Sequence, residues 1–220
     1  MSVVYFGPTD PLDLADASDI VLNSANGGPR MQYVEVFSPT GAYLAGGTVA
    51  IRPREEYSIE YTLVGGSLVL NIGALVNTNY VITGVNVSCR TDGYPTVGLT
   101  ALKFTNANMF NATNSLKTTL TITGGLGVVN LFGATAAGAI SSSMSLSAQT
   151  AETLAPTGGD LAVGGFVMYG LKQECQLEST SAITLPAGGK LTSEDSRKSS
   201  TGAQINFKAW FEYLTAPTPP

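Results

Sequence analysis

Four aspartates recur at every third position, Asp10, Asp13, Asp16 and Asp19. Carboxylates gathered in this way can hold calcium, but the glycine and closing glutamate of an EF-hand loop are missing. The run therefore reads as a solvated acidic segment whose carboxylates cap turns. Two further acidic pairs, Glu55-Glu56 and Glu194-Asp195, are adjacent in sequence. Neighbours in a strand point to opposite faces, so neither pair makes a catalytic dyad by itself. Cys89 and Cys175 lack metal-site spacing and read as buried, reduced thiols, although the sequence leaves open whether they approach each other. The glycine pairs at 124–125, 158–159, 164–165 and 188–189 open neither a dinucleotide fingerprint nor a phosphate-binding loop. The chain has no histidine. That removes histidine-based triads, histidine-ligated metals and the usual proton shuttle near neutral pH. No catalytic, cofactor-binding or metal-ligating residue is assigned, no cofactor is expected, and the chain is expected not to be an enzyme.

The elements that would position any such chemistry have a period of two. Tyr57, Ile59, Tyr61 and Leu63 alternate with Ser58, Glu60 and Thr62, which marks a strand with one buried face. Gly65-Gly66 reads as a hairpin turn into residues 67–72. Val81, Thr83, Val85, Val87 and Cys89 form the next alternation, Thr91-Asp92-Gly93 a turn in which the glycine can supply a positive φ, and Val97, Leu99 and Ala101 continue after it, with Leu102 and Phe104 on the other face. Later strands are read at 120–123, 144–148, 166–177 and 205–214. Regular short strands punctuated by Gly, Asn, Asp and Pro predict an all-β fold. The expected form is an antiparallel β-sandwich or barrel with long hairpin loops and at most one short helix. That helix would start with Asp10 as cap and Pro11 at the first position, with Leu14, Ala17 and Val21 on one face. An irregular loop would use the same residues. Residues 1–220 read as one domain, with a loop insertion at 179–202 and an extended tail at 215–220. Gly84 to Cys89 and Gly170 to Cys175 share a Gly-x4-Cys echo, which a chance match between two strands explains.

Of 220 residues, 12% are charged and 44% hydrophobic, which excludes a disordered chain. The net charge of -5 argues against a protein that grips nucleic acid through its phosphates. The start carries no basic and apolar signal segment, and Asn86-Val87-Ser88 and Asn111-Ala112-Thr113 then match the glycosylation acceptor by chance; the chain is expected to be made in a cytoplasm, with no membrane contact. Residues 118–151 contain no charged side chain. Either they form core strands and glycine loops, or neighbouring subunits cover them. A sandwich for adhesion or carbohydrate binding would need exposed aromatics, for which Tyr94, Phe110 and Tyr169 are candidates.

Residues 57–104 resemble the major tail, or tail tube, proteins of bacteriophages. The likeness rests on a strand and hairpin leading to Ile82-Thr83-Gly84-Val85-Asn86-Val87, then a turn, then Pro95-Thr96-Val97-Gly98-Leu99-Thr100-Ala101. The strand at 201–214 would complete the sheet. This resemblance implies a virion structural protein that self-assembles into stacked, usually hexameric, rings. DNA would pass through the tube without specific binding, and other tail proteins would be partners. It also implies a helix packed on the sandwich and a long hairpin between neighbours, for which residues 41–56 and 118–151 are candidates. A capsid decoration or head protein is the near alternative.

Overall fold

The computed structural model describes residues 9–16, 18–37, 40, 43–104, 110–127, 138–157, 160–184, 190–198 and 204–214. The strands are β1 (Ile20–Phe37), β2 (Tyr43–Leu63), β3 (Ser67–Ile72), β4 (Leu75–Val76), β5 (Tyr80–Arg90), β6 (Thr96–Phe104), β7 (Thr118–Thr123), β8 (Ala139–Thr157), β9 (Asp160–Ser179), β10 (Lys190–Lys198) and β11 (Gln204–Leu214). The chain is all-β with antiparallel ladders, and the described residues contain no helix. The helix that the tail-protein resemblance implies is therefore absent from them.

The main sheet runs β1-β2-β6-β5-β8-β9-β11-β10, with β4 added beside β5. Period-two patterning gives it two chemically distinct faces. One row of paired residues, Tyr61–Val97–Val87–Met144–Cys175, crosses five strands and is buried throughout. The adjacent row, Glu60–Gly98–Asn86–Ser145–Glu174, is offset by one residue and lies on the opposite, polar face. A two-stranded sheet of β3 and β7 covers the apolar side. Leu68, Leu70 and Ile72 of β3 and Ile122 of β7 join the core, while Val69 and the β7 threonines Thr119, Thr121 and Thr123 face out. This is the sandwich that the alternation predicts.

The turn at Gly65-Gly66 is present, with Gly66 at φ 61°. It is not a hairpin, because β3 pairs with β7 and the chain crosses from one sheet to the other. The expected loop at 179–202 contains β10, which pairs with β11. Lys190 to Asp195 are all exposed, so this part of the edge strand has no buried face to write a period of two into the sequence. The proposed tail, residues 215–220, lies outside the described residues. Phe110 is buried at 5% exposure rather than available to a ligand, whereas Tyr94 and Tyr169 are exposed. It packs with Phe104 and Phe166, the ring centroids lying 5.0 to 6.4 Å apart.

The Asp10 segment takes the irregular alternative. The Asp10 carboxylate accepts hydrogen bonds from the backbone N–H groups of Leu12, Leu14 and Ala15 at 2.8 to 2.9 Å. It also accepts one from the Tyr61 hydroxyl at 2.7 Å. Asp13 adopts a φ of 55°, which a right-handed helix does not allow. The segment instead lays Leu12 into the core at 2% exposure. Partial burial pushes the Asp10 carboxyl up, but the hydrogen bonds, led by Tyr61, outweigh it and hold the group below its ordinary value of 3.8. A depressed carboxyl stabilises the fold above its unfolded pKa and loses that contribution as pH falls through the folded value. Asp10→Ala is expected to destabilise the chain by about 1–2 kcal/mol at neutral pH, as for a lost cap. Urea titrations at pH 7 and pH 3 provide the check: the gap between wild type and variant should narrow in acid.

Candidate functional site

The residues singled out for chemistry are mostly engaged in structure. Asp16 accepts the N–H groups of Ser18, Asp19 and Ile20 at 2.8 to 3.0 Å, and these bonds, that from Ile20 foremost, hold its carboxyl below the ordinary value. Among the described residues, no three acidic or cysteine side chains gather as a metal site would require. Glu55 accepts a salt bridge from Lys103 at 3.2 Å and a short hydrogen bond from the Tyr57 hydroxyl. The Tyr57 bond, ahead of Lys103, keeps Glu55 ionised below its usual range, and the same bond holds the Tyr57 hydroxyl protonated above its own. Tyr80 completes the cluster, edge-on to Tyr57 at 5.6 Å and beneath the Lys103 ammonium at 5.7 Å. This is a cross-strand clamp of β2, β5 and β6. Glu194 and Asp195 are exposed on β10.

The two thiols are free and buried, with β8 between their strands. Cys89 lies 2.8 Å from the Ser142 hydroxyl. Burial pushes the Cys175 thiol up to about 12, a weak Gln173 contact at 3.9 Å notwithstanding. A thiol held protonated at neutral pH is a poor nucleophile.

What remains is a surface that carries no sequence motif. The polar face of the main sheet forms an open trough of about 620 Å³ across β2, β6, β5, β8 and β9. It is lined by the row Glu60–Gly98–Asn86–Ser145–Glu174, by the parallel row of Thr96, Ser88, Ser143 and Gln176, and by Val87, Met144 and Cys175 of the row between them. Glu60 accepts a hydrogen bond from Asn23 at 3.0 Å, and Glu174 pairs with Lys172 at 2.9 Å. Among the described residues, the side chains of Asn86, Ser88, Thr96, Ser143, Ser145 and Gln176 have no hydrogen-bond partner. Their donors and acceptors face solvent. The carboxylates Glu60 and Glu174 stand on strands separated by three others. At a strand spacing of about 4.8 Å this puts them on the order of 15–20 Å apart along the sheet. A glycosidase pair needs roughly 5–9.5 Å, so these two are not an acid and nucleophile. In sequence the trough residues were visible only as the solvent-side members of alternating strands.

The described part of residues 118–151 contributes both core and exposed side chains. In the described part, Ile122, Met144 and Leu146 are core, whereas Thr119, Thr121 and Leu126 are exposed, Leu126 at 69%. No helix among the described residues is long and apolar enough to cross a membrane. No protein-family model matches the chain, and no curated protein matches it either.

Proposed function

We propose that the chain is a self-assembling structural subunit of a virion, a tail tube protein whose stacked rings enclose a channel for DNA. The observation that carries this reading is a charge-poor extension of the sheet. β6 pairs with β2 only over residues 54–62, yet the β1–β2 ladder runs on to Phe37↔Tyr43. Likewise β5 pairs with β8 only over residues 141–147, yet the β8–β9 ladder runs on to Thr157↔Asp160. A parallel bridge, Ile51↔Leu161, joins the two ribbons in the order β1-β2-β9-β8. Residues 31–53 carry only Glu35 and Arg52 as charges, and residues 149–165 only Glu152 and Asp160. Interface cores are depleted of charge in this way, and two-stranded ribbons are marginal without something to pack on.

Three further features support the reading. The candidate segment 41–56 falls on the first of these ribbons. Among the described residues the sheet ends at the edge strands β1 and β10, which within a ring become assembly elements. A net charge of -5 disfavours tight binding of a passing nucleic acid. Sedimentation velocity and negative-stain electron microscopy of the purified chain test it. Rings or tubes are expected, with a bore wide enough for duplex DNA; a wide shell lattice would favour a head protein instead. A strictly monomeric chain at high concentration would overturn the assembly.

A further inference from the structure

We infer that the trough on the polar sheet face is a binding site for an uncharged oligosaccharide. The first reason lies in its floor. Gly98 sits in the middle of β6 between β2 and β5. Glycine weakens a strand interior and is found there when backbone geometry demands it or when something must approach closely. Geometry makes no such demand here, because Gly98 does not have a positive φ. Nor does crowding: a Cβ at this position would meet only the Asn86 Cβ and carbonyl oxygen, both at 3.9 Å, an ordinary contact. A side chain would take away only the open space above the floor.

The second reason is the lining. Asn86 and Gln176 offer amide donors and acceptors, and Ser88, Thr96, Ser143 and Ser145 offer hydroxyls, all without protein partners among the described residues. Neighbouring strands present them at about 4.8 Å intervals. Groups able both to donate and to accept at such spacing suit a ligand made of rings bearing many hydroxyls. The third reason is charge. Glu60 and Glu174 lie at opposite sides of the trough, Glu174 paired with Lys172, and none of the described residues lining it is a cation, so a phosphate or sulfate ester finds no charge partner there while neutral hydroxyls find acceptors. The volume falls in the range of roughly 300–1,000 Å³ typical of small-ligand sites.

The site is complete in one chain, so its test does not depend on assembly. Full-length protein is titrated by calorimetry with chitotriose, maltotriose and cellotriose, and with a sulfated heparin trisaccharide as the anionic control. Saturable, sub-millimolar binding is expected for at least one neutral sugar and none for the sulfated one. Gly98→Leu should abolish binding while leaving the melting temperature nearly unchanged. Asn86→Ala and Gln176→Ala, at solvent-facing positions, should each weaken binding about tenfold, and they carry the test if the leucine variant fails to fold. Absence of saturable binding to all three neutral sugars overturns the proposal. So does binding that survives all three substitutions, or a preference for the sulfated ligand. A Ser145→Cys probe that reacts in the dispersed chain but is shielded after self-association would assign the trough to a second copy, and would overturn it as well.

Discussion

Phe166→Ala is expected to lower unfolding stability by about 3–5 kcal/mol, which is a large part of the roughly 5–15 kcal/mol that holds a domain folded. The Phe166 side chain is fully buried, 5.0 Å from the Phe104 ring and 6.1 Å from the Phe110 ring. Its backbone also matters. The Phe166 carbonyl accepts the Asn111 N–H at 2.9 Å, and the Leu116 N–H reaches the Met168 carbonyl at 3.0 Å. The segment from Phe110 to Leu116 thereby occupies the flank of β9 that β11, paired only with residues 172–179, leaves open. Removing the ring empties the junction between that segment and the end of β6. Urea unfolding followed by tryptophan fluorescence would measure the loss. Phe166→Leu, which keeps most of the apolar volume, should lose distinctly less. A Phe166→Ala variant within about 0.5 kcal/mol of wild type, as for a surface site, would mean that the three rings do not form one cluster.

Gly73→Ala should be the most damaging of the glycine substitutions at turns. Gly73 follows β3 at a φ of 76°, a conformation that costs an L-residue about 1–2 kcal/mol. Its missing Cβ would also overlap the Leu116 carbonyl oxygen, which is backbone and cannot swing aside. Overpacking of this kind adds about 1–3 kcal/mol. Gly93→Ala is the matched control. That position has open space around it and no positive φ, so the change should stay within about 0.5 kcal/mol. Equal urea midpoints for the two variants would contradict the close passage of the β3–β4 turn against Leu116.

Strands with one wet and one dry face could be read directly from the residues. β5 and β6 are the clearest cases, because Val85, Val87 and Cys89 and then Val97, Leu99 and Ala101 all point into the core. β1 was not readable. Its first half, through Asn23, Asn26, Gly27, Gly28 and Pro29, is rich in residues that normally end strands. An edge strand tolerates them because one side of its backbone has no ladder to maintain. β10 was not readable for a related reason, since residues 190–195 are exposed on both faces. The pairing of β3 with β7 was hidden as well, because the glycines between β2 and β3 suit either a hairpin or a crossover. The trough was least accessible. Ser, Thr, Asn and Gln on the outer side of a strand look alike whether they meet water or a ligand. Only the registration of three strands, β6, β5 and β8, places Gly98, Asn86 and Ser145 in one line.

The bridge between Ile51 and Leu161 has a consequence in time. The β1–β2 and β8–β9 ribbons join near neighbours in sequence and can zip locally. The seam between them unites residues made early and late on the ribosome. β2 also waits for β6, and β3 for β7, across intervening stretches of chain. Such remote pairings place the protein among the slow folders, on the millisecond-to-second scale or beyond. During that interval the nascent first ribbon has an open flank and few charges to keep others away. Whatever shields it until residue 161 emerges determines how much of the newly made protein reaches its final shape.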